Sequence, residues 1–92
     1  SGDQLERRAA QHGITPRELT VLALLAESLT AAAIARRLGI TVSTVNTHLE
    51  RLYRKLDTNN RLTTVLLARE LGLVPPPTVA SKRDRAHRRR RP

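Results

Sequence analysis

The feature that most constrains this chain is a three-residue joint, Gly39-Ile40-Thr41, set between two helical patterns. Before it, Ala31, Ile34, Ala35 and Leu38 recur on one face of a short helix. After it, Val42, Val45, Leu49, Leu52, Tyr53 and Leu56 form the inward stripe of a longer one. Gly39 suits the left-handed residue that ends a helix, and Thr41 suits the cap that starts the next. A turn this short sets the two helices at a steep angle, which is a helix-turn-helix arrangement. In that geometry the second helix can enter a DNA major groove while the first crosses the backbone.

The flanks supply two further helices and no strand. Thr15-Pro16-Arg17-Glu18 reads as a capping box with proline at the first helical position. Leu19, Leu22, Leu25 and Ala26 then share one face, widened by Val21 and Leu24. Asp57-Thr58-Asn59-Asn60 breaks the third pattern, Asn60 caps a fourth helix, and Gly72 closes it. The expected fold class is therefore all-α: a four-helix bundle with a helix-turn-helix, its helices at about 16–27, 31–38, 42–56 and 61–71. In the fourth helix, Thr64, Leu67, Ala68 and Leu71 are assigned to the core, with Val65 at the edge. Leu62 and Leu66 are left on the opposite side.

Charge decides what such a bundle would meet. The 92 residues carry 17 Lys and Arg against 8 Asp and Glu, a net charge of +9, which favours an anionic partner. Residues 1–74 hold ten basic and seven acidic residues, and residues 75–92 hold seven and one. Pro75-Pro76-Pro77 marks the change. Residues 1–11 are read as a linker, 12–74 as the compact domain, and 75–92 as a disordered basic tail whose arginines 88–91 are either a phosphate anchor or a solubilising end. The single aromatic residue, Tyr53, argues against stacking of unpaired bases, so double-stranded DNA is preferred over RNA. No cysteine is present, and His12, His48 and His87 stand too far apart to suggest a metal site. No catalytic residue, metal or cofactor is expected. The longest apolar run, Val21 to Ala26, is too short for a membrane span, and a cytoplasmic protein is expected.

Three stretches carry a family resemblance. They are Ile14 to Leu22, Ile34 to Val45, and Thr47-His48-Leu49 through Leu52-Tyr53-Arg54-Lys55-Leu56 to Asn60-Arg61. Together they resemble the LuxR/FixJ-type helix-turn-helix domain of bacterial transcription regulators, over about residues 14–74. The resemblance implies base-edge contacts from Asn46, Thr47 and Glu50 on the third helix. It implies phosphate contacts from Thr30, Thr44, Arg54, Lys55, Asn59 and Arg61. It also implies a homodimer through Leu62, Leu66 and Arg69 of the fourth helix, a two-half-site operator, and RNA polymerase as a further partner. The chain departs from the pattern at Ser28, where glycine is frequent, and at Asp57-Thr58, where Gly-Val is usual. Asn46 replaces a common basic residue.

Each of these residues also has an ordinary reading. Glu50 can pair with Arg54 one turn on. His48 can be structural, and Arg36 and Arg37 can be solvated. The rival for the whole chain is a basic helical module that docks on acidic protein, RNA or a membrane surface without reading sequence. A sigma-factor promoter-reading domain would share the two-helix geometry.

Overall fold

A computed structural model describes residues 2–76, and all of the following refers to them. Five helices succeed one another: α1 (Gly2–Ala10), α2 (Pro16–Ala26), α3 (Ala31–Leu38), α4 (Val42–Leu56) and α5 (Arg61–Glu70). The four expected helices are α2 to α5, each with bounds within a residue of those read from the sequence. The expected basic tail lies, from residue 77 onward, outside the described residues.

Each of α2 to α5 starts at a cap of the anticipated kind. The side chains of Thr15, Thr30, Thr41 and Asn60 accept a hydrogen bond from the backbone N–H three residues on. At Thr15 the capping box is complete: Glu18 N–H donates to the threonine hydroxyl and Thr15 N–H donates to Glu18 Oε1.

The helix ends follow one rule. After every helix one residue turns left-handed: Gly13, Ser28, Gly39, Asp57 and Gly72. The next N–H then reaches back to a carbonyl five residues earlier, as in Ile14 to Ala9, Leu29 to Leu24, Ile40 to Ala35, Thr58 to Tyr53 and Leu73 to Ala68. Ile14 and Leu73 follow the turn straight into the core. The two non-glycine positions, Ser28 (φ 71°) and Asp57 (φ 55°), hold a backbone conformation that glycine adopts readily. They cost strain, less for Asp57, whose short polar side chain tolerates this region better.

α2 is the central helix, with Leu19, Val21, Leu22, Leu24 and Leu25 all buried. Around it pack Ile34 and Ala35 of α3, Val45, Leu52 and Leu56 of α4, and Val65 and Ala68 of α5. Thr64 is fully buried and satisfied, donating to Asn60 O at 2.7 Å and accepting from Thr58 Oγ1 at 2.6 Å.

Three expectations need correcting. Residues 1–11 are not a linker: Gly2–Ala10 is helical, Ala9 is buried, Leu5 packs on the core, and Arg8 donates to Gly72 O at 2.8 Å. Only two apolar residues one turn apart carry that packing, too short a pattern to announce a helix. Val65 is buried, not marginal, while Leu67 and Leu71 are half-buried. Val42 is not core. It is 43% exposed, although Val45 in the same turn is fully buried.

Candidate nucleic-acid interface

α4 divides into a buried side and an open side. Val45, Leu52 and Leu56 face the core. Ser43, Thr44, Asn46, Thr47, Glu50, Arg51 and Arg54 are all exposed. The open surface is polar, small-chained at its N-terminal end and basic at its C-terminal end. No acidic residue lies in the first turn, so the positive end of the helix dipole is left uncompensated.

Among the residues expected to meet base edges, Asn46 makes no side-chain hydrogen bond with any other described residue, and Thr47 donates back to Ser43 O at 3.1 Å. Glu50 is exposed, and the surface pair with Arg54 does not form. Its carboxylate has no ion-pair partner among the described residues.

The residues expected to meet phosphate separate into two groups. Thr30 caps α3 with its Oγ1, and Thr44 Oγ1 lies 2.9 Å from Thr41 Oγ1; both hydroxyls are exposed. Arg54 and Asn59 are exposed as well. Arg61, half-buried, and Lys55, at the surface, are each tied to a partner within the protein. Lys55 Nζ sits 2.6 Å from Glu18 Oε1, the one ion pair among the described residues. Arg61 donates to Leu25 O at 3.2 Å and also to Leu29 O, tying the start of α5 to the end of α2.

Glu18 is 2% exposed. Burial alone would raise its carboxyl, but the hydrogen bond from Lys55, the bond from Thr15 N–H and the Lys55 charge outweigh that and hold it below the ordinary value. The capping box was legible in the sequence. The partner on α4, 37 residues away, was not.

On α5, Leu62 is 69% exposed and Leu66 46%. Beside them a groove of about 290 Å³ runs between α5 and the end of α2, lined by Leu25, Ala26, Ser28, Arg61, Leu62, Val65 and Arg69. Arg69 Nε is buried there without a partner. His48 Nδ1 is likewise covered and unpartnered, on the flank of α4. No helix among the described residues is long and apolar enough to cross a membrane.

Comparison with known proteins fits this geometry. The family described as "Bacterial regulatory proteins, luxR family" matches residues 12–68, more than half of the chain. Similar proteins include the transcriptional regulatory protein LiaR of Bacillus subtilis, 36% identical over 69 residues, which are 75% of this chain and 33% of that protein. The DNA-binding transcriptional activator DevR/DosR of Mycobacterium tuberculosis is 36% identical over 72 residues, 78% of this chain and 33% of that protein. The nitrate/nitrite response regulator protein NarL of Escherichia coli is 43% identical over 49 residues, 53% and 23% respectively. The chain thus spans a third or less of the length of these relatives. No solved structure gives a significant match.

Proposed function

The chain belongs to the LuxR family of bacterial regulatory proteins, and from that premise we propose that it binds double-stranded DNA by sequence, with α4 in the major groove, to regulate transcription. The observation that carries this reading is the open side of α4. Asn46, Thr47 and Glu50 are exposed on it, their functional groups not committed to partners elsewhere in the fold. Asn46 offers paired donor and acceptor groups to adenine, and Glu50 accepts from cytosine N4. Thr30, Thr44, Arg54 and Asn59 meet phosphates around the groove and set the register. Lys55 and Arg61 join them at the phosphates while also seating α4 and α5 through Glu18 and the Leu25 carbonyl. The basic tail, 82–91, adds phosphate contacts that carry no sequence information.

The partner on DNA is a second copy of this chain, through Leu62, Leu66 and Arg69 of α5. The exposed leucines beside a lined groove support that reading. Two leucines make a small contact, below the roughly 1,200 Å² of stable interfaces. Adjacent half-sites about one helical turn apart supply the missing stability by raising the local concentration. RNA polymerase is a further partner of the bound dimer.

Selection of bound duplexes from a random pool tests the reading: one enriched, two-fold related site is expected. Enrichment of no sequence, with equal affinity for every duplex, would favour a basic module without sequence reading. For the dimer, Leu62→Glu with Leu66→Glu should abolish cooperativity in mobility-shift titrations on a two-half-site duplex and leave half-site affinity nearly intact. Unchanged cooperativity would move the dimer surface elsewhere.

A further inference from the structure

Three large apolar side chains are exposed among the described residues: Val42, Leu62 and Leu66. The leucines belong together on α5. Val42 stands apart, at the first position of α4 directly after the Thr41 cap. It contributes little to the core, yet it is placed on the end of the helix that would lead into the groove.

We infer that Val42 is a specificity-determining residue that seats against the C5-methyl group of a pyrimidine in the major groove. The inference rests on the proposed reading of α4 as the recognition helix. B-DNA exposes one apolar group on its major-groove base edges, the thymine methyl. Methylated cytosine would present the same group. Val42 has no donor or acceptor, so such a methyl is the feature it can distinguish. Its polar neighbours do not compete for that position: the Thr41 hydroxyl accepts from Thr44 N–H at 3.1 Å and lies 2.9 Å from the Thr44 hydroxyl. A β-branched side chain in a helix keeps essentially one rotamer, so its methyls are presented with little entropy to lose. Asn46 lies four residues on, one turn along the same flank. An asparagine suited to adenine beside a valine suited to a pyrimidine methyl gives a joint preference for an A·T-containing step.

The test uses the full 92-residue chain and the best duplex from the random-pool selection. Each thymine is replaced singly by deoxyuridine, which removes the methyl and keeps every hydrogen-bonding group. One position should lose about fourfold in affinity, the ratio expected for burying one methyl-sized group. Val42→Ala and Val42→Ser should bind the original duplex about fourfold more weakly and show no further loss with deoxyuridine at that position. Placing cytosine and then 5-methylcytosine there, opposite guanine, separates the two methyl sources. Recovery on methylation shows that the methyl itself is read, and no recovery restricts the contact to thymine. Insensitivity to deoxyuridine at every position, or a loss that persists undiminished in both variants, would overturn the inference. A pool that enriches nothing would remove the reading beneath it as well.

Discussion

The two halves of α4 use their polar residues in opposite ways. From Ser43 to Arg51 the outward side chains are exposed, and the hydrogen bonds of Thr44 and Thr47 stay within the first turns of the helix and its cap. Toward the C-terminal end, Lys55 reaches back to buried Glu18, and beyond the Asp57 turn Arg61 is drawn onto the carbonyls of Leu25 in α2 and Leu29 just after it. The helix carries its side-chain tie to Glu18 near one end and its small open polar side chains near the other. A cation near a recognition surface is therefore not automatically a phosphate contact alone. Its burial and its nearest carboxylate or carbonyl decide.

The largest effect that could break this contrast lies at the held end. Removing Lys55, itself at the surface, leaves the buried Glu18 carboxylate without its cation. Lys55→Ala should cost about 1–3 kcal/mol of unfolding free energy, measured by urea denaturation. Arg54→Ala, one residue away and exposed, should change stability by less than about 0.5 kcal/mol. Its effect should appear instead as weaker binding to all duplexes, with the slope of log affinity against log salt reduced by about 1. Equal stability losses for the two variants would dissolve the distinction between holding and offering.

Next in size are the two strained turns. Ser28→Gly should stabilise the protein by about 1 kcal/mol, and Asp57→Gly by less, read as rises in melting temperature. Loss of stability at Ser28→Gly would mean that the hydroxyl does work the backbone geometry does not reveal.

The smallest effect is on pH. The carboxyl of Glu18 is lowered in the folded state relative to an unfolded value of about 4.3. Its contribution is thus fully present above that value and is lost as pH falls through the lower folded one. Glu18→Gln should flatten the acid limb of the stability profile below about pH 4. An unchanged acid limb would show that another carboxylate carries it.

What the sequence disclosed tracks how local each interaction is. The caps at Thr15, Thr30, Thr41 and Asn60 act over three residues and could be read directly. So could the left-handed ends at Gly39 and Gly72, because glycine marks them. Ser28 and Asp57 adopt the same conformation without that mark. Helix α1 is held by Leu5, Ala9 and an Arg8 bond to Gly72, 64 residues distant, and no local period announces it. Val42 continues the apolar period and is still exposed, while Val45 in the same turn is fully buried, since period fixes a side of the helix but not how far each position is covered. Leu62 and Leu66 were legible as outward residues for the converse reason: α5 has more apolar positions than one buried side can use.

The central claim is that the N-terminal half of α4 reads bases. It is tested most directly by selecting duplexes from one random pool with the chain and with the Asn46→Ala, Thr47→Ala double variant. The account predicts that the variant still binds, loses preference at one or two base pairs in each half-site, and gives up roughly 1–3 kcal/mol per lost base contact on the best site. An enriched site identical in sequence and in strength of preference for both proteins would contradict it and place the reading surface elsewhere.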